Sequence, residues 1–277
     1  MTPTPIRAAL AFALALLLHS AGALAQPVVG VLGIPQEITP IEKRLRDVRE
    51  TTVQGIVFRT GTLNGRSVVV GRSGVGKVYA AVATTVLIAH FKPSTILFSG
   101  TAGAVDPALG LGDVVVGTAV AHHDFGQYTQ GGLVRRGPRN AVTDQLDPVL
   151  LPAPSALVAV AKEAIAHVKL PRVKTDEGER APRIVEGVIA TGDVFVSNVV
   201  QREELRNSLG AAAVEMEGAA VVQTCRHFAV PCLIVRSITD RADGQAMASY
   251  QSLRAQASEN AAVVVSAIVE RLRDAVR

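Results

Sequence analysis

Short runs of β-branched and aliphatic residues alternate with longer helical patterns along nearly the whole chain, with no linker and no internal repeat between them. That alternation is the mark of an α/β domain, in which strands covered on both faces are joined through the helices that cover them. Val28 to Leu32, Gly55 to Thr60, Ser67 to Val70, Ser94 to Phe98, Val114 to Ala119, Ile184 to Ala190 and Cys232 to Ile238 read as strands. Ile38 to Val48, Gly76 to His90, Ser155 to His167, Ser197 to Asn207, Glu217 to Phe228 and Ser249 to Val276 read as helices. Asn64-Gly65 between two strand runs is a hairpin signal, and Lys174 to Pro182 reads as a polar loop. The chain is therefore predicted to form a single α/β domain with a mixed central β-sheet flanked by helices.

Residues 1–25 stand apart. Arg7, an apolar run from Ala8 to Leu18 and the small-residue exit Ala23-Leu24-Ala25 have the three-part layout of a secretory signal peptide. The run is too short to span about 30 Å of hydrocarbon at about 1.5 Å per residue. Cleavage after Ala25 is expected, leaving residues 26–277 as a soluble catalytic domain that is exported, periplasmic or secreted, with no membrane association once the signal is gone. Lys and Arg number 28 against 24 Asp and Glu, and they are scattered, which gives no basis for a nucleic-acid surface. Aromatic residues make up only 4% and Trp is absent, so a base-stacking platform for single strands is not expected either. Cys225 and Cys232 lie in apolar surroundings and read as buried thiols, with a disulfide as the alternative in an oxidising compartment.

Four features carry chemistry. Gly71-Arg72-Ser73-Gly74-Val75-Gly76-Lys77 almost matches a phosphate-binding loop, but Val78 follows where a magnesium-holding hydroxyl is needed. The segment is read as a tight strand-to-helix turn or a backbone wall of some ligand pocket. Ser99-Gly100-Thr101-Ala102-Gly103 reads as a second small-residue turn at a strand's carboxyl end, where open α/β sheets bind ligands. Glu37, Glu215, Glu217 and Asp240 each follow an apolar strand, so the fold can bring them to one sheet edge and supply an acid, a base and a hydroxyl holder for glycosidic cleavage. His122-His123-Asp124 lacks a third ligand at metal spacing and is read as a pocket wall, so no metal is expected.

Taken in order, Gly30-Val31-Leu32-Gly33 with Glu37, Ser73 to Val78, Ser99 to Gly103, Gly112 to Val116, Thr191-Gly192-Asp193-Val194-Phe195, Val214 to Ala220 and Arg236 to Asp243 resemble the methylthioadenosine/S-adenosylhomocysteine nucleosidases of the nucleoside phosphorylase superfamily. The resemblance covers nearly all of residues 26–277. It implies that Glu37 activates the attacking water, Asp240 gives a proton to purine N7 and Glu217 holds the ribose hydroxyls. It further implies a substrate-binding set of Thr101, Gly103, Phe195, Val196, Glu215, Met216 and Thr239, with Met216 against the sugar, Phe195 near the base, and the backbone of Gly103 and Val196 on the ligand. Phe125, Tyr128 and Tyr250 are expected to form an apolar pocket for the 5′ end. No cofactor is implied, and a homodimer is.

The resemblance spans hydrolases and phosphorylases. Phosphorylases of this kind carry cationic residues before the small-residue turn and after the first strand, because a phosphate nucleophile needs cationic donors. Phe98 and Ile34-Pro35-Gln36-Glu37 stand at those places, and a carboxylate there repels phosphate. The expected activity is hydrolysis of a small-molecule purine nucleoside of the adenosine type. A phosphorylase and a non-catalytic nucleoside-binding protein are the alternatives.

Overall fold

The computed structural model describes residues 28–176 and 178–272. The signal peptide reading and the end of the last predicted helix fall outside them. In chain order the elements are β1 (Val29–Gly33), α1 (Pro35–Glu42), β2 (Arg46–Val53), β3 (Ile56–Leu63), β4 (Arg66–Arg72), α2 (Lys77–Phe91), β5 (Thr95–Ala104), β6 (Val114–His122), β7 (Gly126–Thr129), β8 (Gly132–Arg135) and β9 (Leu151–Pro152). Then follow α3 (Ser155–Ile165), β10 (Val173–Thr175), β11 (Gly178–Arg180), β12 (Ile184–Thr191), α4 (Val199–Leu209), β13 (Ala211–Glu215), α5 (Gly218–His227), β14 (Cys232–Asp240) and α6 (Ala246–Arg271).

One mixed sheet runs β13-β12-β6-β14-β5-β1-β4-β3-β2, with β9 added beside β6. β1 is parallel to both β4 and β5, and β14 is parallel to β5 but antiparallel to β6. The sheet also curls on itself: β13, at one end of the order, pairs antiparallel with β5 through Ala213 with Ala104 and Val214 with Gly103. This closure brings the carboxyl ends of β5, β13 and β14 to one rim. A bulge in β14 sets Thr239 out of register between Ile238, opposite Ala102, and Asp240, opposite Gly103. Such a bulge bends the strand and re-aims the side chains beside it.

Helices cover both faces, as the alternation requires. Ala80, Ala83 and Leu87 of α2 and Ala219, Val221, Val222 and Cys225 of α5 pack on one face. Ile38 and Ile41 of α1, Leu157 and Ala161 of α3, and Val264, Val265, Ile268 and Val269 of α6 pack on the other. Each fully buried branched side chain is worth roughly 1.5–3 kcal/mol. The Asn64-Gly65 turn is as predicted, with φ of 50° and 77° at its two central residues. No helix among the described residues is long and apolar enough to cross a membrane.

Four expectations need correction. The helix predicted over Ile38 to Val48 ends at Glu42, and after a turn at 43–45 the rest is the start of β2, an edge strand exposed along nearly its whole length that shows no inward and outward alternation to betray it. Ser99 to Gly103 is not a turn but the second half of β5, entirely buried, where small residues let neighbouring strands and side chains approach. β13 was not foreseen, because Ala211 to Ala213 has neither branching nor alternation. The predicted polar loop carries the β10–β11 hairpin. Cys225 and Cys232 are buried free thiols; a hydrogen bond between them, with burial, pushes the Cys225 thiol well above its ordinary range.

Candidate active site

Four segment ends converge at the rim. Gly33 ends β1 so close to β5 that a Cβ on it would lie 2.7 Å from the Ser99 carbonyl oxygen. Pro35 opens α1 and places Glu37 in its first turn, buried at 5% exposure. From β5, the Thr101 hydroxyl donates a short hydrogen bond to Glu37 Oε1. Gly100 must lack a side chain, because a Cβ there would sit 2.5 Å from Glu37 Oε2 and closer still to Arg236 Nη1. β13 delivers Glu215, Glu217 stands just before the first residue of α5, and β14 delivers Asp240.

The charge balance of the cluster rests on Arg236, which is completely buried in the middle of β14. Its guanidinium pairs with Glu215 through Nε at 3.1 Å and a shorter Nη2 contact, and lies 3.7 Å from Glu217 Oε2. It also stacks over the Phe98 ring at 4.5 Å. One cation thus faces three buried carboxylates, and they cannot all ionise at ordinary pKa values. Burial pushes Glu37 above the usual carboxylate range, opposed by Arg236 and Thr101. Burial and then the charge of Glu215 push Glu217 up to about 7, opposed by Arg236 and the Gly76 N–H.

Glu215 and Glu217 differ in what they have left to offer. Glu215 accepts from the backbone N–H groups of Glu217 and Gly218, from the Thr191 hydroxyl and from Arg236, so its carboxylate is committed to the protein. It lines the cavity yet serves as an anchor. Glu217 accepts only the Gly76 N–H, at 2.8 Å on Oε1, among the hydrogen bonds of the described residues, so its carboxylate, which lines the cavity, keeps acceptor capacity for vicinal hydroxyls. Asp240 is 2% exposed and accepts from the Ala242 N–H and the Thr239 hydroxyl, both at 2.9 Å. Burial outweighs those bonds and raises its pKa, so a proton stays on it further toward neutral pH. A Cβ on Gly103 would lie 2.7 Å from Asp240 Oδ1, which is why the strand carries glycine beside the acid.

These groups open into a cavity of about 280 Å³. It is lined by Glu37, Thr101, Gly103, Phe195, Val196, Glu215, Met216, Glu217, Thr239, Asp240 and Tyr250, all expected at the site, together with Ile34, Val75, Ala102, Val194, Val214 and Met247. Of the other two expected there, Phe125 lines a separate groove with Lys77, His122 and Gln223, and Tyr128 is 83% exposed. Within this chain neither reaches the cavity: beyond His122 the chain leaves the main sheet and enters the β7–β8 hairpin, whose strands pair with each other among the described residues. Tyr250 alone of the three faces the cavity, edge-on to Phe195 at 6.2 Å. His122 bonds Gln223 through Nε2 at 3.0 Å, and no group of three metal-binding side chains occurs among the described residues. Sequence reasoning missed Arg236, although a charged residue inside the otherwise apolar run Cys232 to Ile238 is a signal that buried carboxylates wait for it.

The family model described as the phosphorylase superfamily matches residues 27–270. The 5′-methylthioadenosine/S-adenosylhomocysteine nucleosidase of Staphylococcus aureus is 34% identical over 247 residues, covering 88% of this chain and all of that protein. The same enzyme from Neisseria meningitidis, solved with methylthio-immucillin-A, superposes with a TM-score of 0.74 at 34% identity, covering 88% of this chain and 99% of that one. Futalosine hydrolase of Helicobacter pylori superposes with a TM-score of 0.73 at 31% identity, covering 89% and 99%. Fold and site together define a member of the phosphorylase superfamily. Within it, the chain belongs with the methylthioadenosine/S-adenosylhomocysteine nucleosidases, and it is an N-glycosyl hydrolase.

Proposed function

We propose that this chain is an exported purine nucleosidase that hydrolyses adenosine-type nucleosides, including methylthioadenosine-like ones, to free base and free sugar as a homodimer. The observation that carries the hydrolytic reading is the charge of the cavity. Glu37, Glu215, Glu217 and Asp240 line it, and among the described residues no Lys or Arg does. A phosphate dianion has no cationic donor there, whereas a water beside Glu37 has a base. Breaking the C–N bond builds cationic character on the sugar and negative charge on the base. Glu37 takes the proton of the attacking water, Glu217 steadies the ribose hydroxyls near the developing cation, and Asp240 hands its proton to the departing purine.

The export part rests on the sequence of residues 1–25, and the homodimer on family likeness together with the exposed apolar residues Val78, Tyr79 and Val82 along α2. Incubating residues 26–277 with adenosine, inosine and methylthioadenosine, with and without phosphate, tests the activity. Free base and free sugar without phosphate are expected, and release that requires phosphate would overturn the reading. Asp240→Asn is expected to lower kcat on natural nucleosides by on the order of 10²–10⁴, the usual worth of a general acid. The same variant should lose far less on a riboside whose leaving group departs without protonation. Equal losses on both substrates would remove Asp240 from the acid role.

A further inference from the structure

Lys77, at the end of the glycine-rich segment, is left without a role by the chemistry above, yet three segments distant in sequence are tied together through it. We infer that Lys77, Asp124 and Asp193 form a latch that holds the Glu217 carboxylate and the base wall in register, making them positioning residues of the hydrolytic site. This rests on the nucleosidase reading above for its kinetic consequence, though not for its geometry.

The contacts close a ring. Lys77 is the first residue of α2, and its backbone N–H donates to Asp193 Oδ1 at 2.8 Å. Its ammonium donates to Asp124 Oδ1 at 2.6 Å and lies 3.7 Å from Asp193 Oδ2. Asp124 Oδ2 in turn accepts the Asp193 N–H at 2.8 Å. The loop before α2, the turn after β6 and the turn after β12 are thereby tied together, and the positive end of the α2 dipole favours Asp193 where it stands.

Each tied segment carries a piece of the site. Gly76, one residue before Lys77, donates its N–H to Glu217; its φ of +90° and a would-be Cβ 3.0 Å from Asp193 Oδ1 leave room only for glycine. Asp193 stands two residues before Phe195 and three before Val196, which line the cavity. Burial alone would raise the Asp124 carboxyl, but Lys77 and the Asp193 N–H hold it below its ordinary range. The lysine of the phosphate-loop look-alike therefore serves two aspartates of its own chain.

Lys77→Met tests the latch, with Asp124→Asn as a second break of the same ring and Lys77→Arg as the conservative control. Both breaking variants are expected to raise KM for the nucleoside about tenfold while changing kcat less than threefold, because the tied segments hold substrate and do not attack it. Lys77→Arg should recover most of that loss. Melting temperature should move by a few degrees at most, since partly exposed ion pairs add little stability. Hydrogen exchange should quicken together, at least tenfold, in segments 74–80 and 192–197. Exchange confined to one segment, or a KM within twofold of wild type in both breaking variants, would overturn the latch. A wild type that releases no base from any nucleoside would instead overturn the nucleosidase reading, and the exchange measurement would still decide the latch.

Discussion

Glu37→Gln is expected to lower turnover by on the order of 10²–10⁴ while leaving affinity for the purine product within a few-fold of wild type. Glutamine keeps the shape and still accepts the Thr101 hydroxyl at its carbonyl oxygen, but it cannot take a proton from water. Burial raises the Glu37 pKa above the usual carboxylate range, which makes its carboxylate a stronger base than an exposed one. The variant should fold at least as well as wild type, since it removes one of three buried negative charges from around a single guanidinium. Single-turnover kinetics alongside calorimetric titration with adenine separates the two quantities. Unchanged turnover would strike Glu37 from the mechanism, and lost adenine binding would make it a binding residue.

Much of this site is legible in the sequence because the chemistry sits on segment ends. Glu37, Glu217 and Asp240 each adjoin an apolar strand, and small residues at Gly100, Gly103 and Gly218 mark where other groups approach. Two things were hidden. Closure of β13 onto β5 depends on a pairing more than a hundred residues apart in sequence, between Ala104 and Ala213, which no local pattern records. The direction taken by the chain after His122 depends on a hairpin whose tips are polar and whose strands are four residues each, too short for alternation to speak. Arg236 was legible in principle: a cation in a buried strand requires an anion, and the two nearest glutamates in the motif Val214-Glu215-Met216-Glu217 are its partners.

The largest effect on stability is expected from Arg236→Met, which should destabilise the fold by about 3–5 kcal/mol at neutral pH, the usual result of leaving buried charges uncompensated. Methionine fills much of the same volume and can rest on Phe98, so the loss is mainly electrostatic. Its pH dependence carries a definite sign. Glu217 titrates at about 7 in the folded chain against an ordinary 4.5, and Glu37 is raised as well. Groups raised on folding bind protons more tightly in the folded state, so their contribution to stability is full below the unfolded pKa and is lost as pH rises through the folded one. Without Arg236 both groups shift further upward, and the window of loss widens beyond neutrality. The variant should therefore lie closer to wild type in stability at pH 5 than at pH 8. Urea denaturation of both proteins at the two pH values reads this directly. A penalty independent of pH would mean that Arg236 acts through packing on Phe98, and that the buried carboxylates keep their charge balance by some other route.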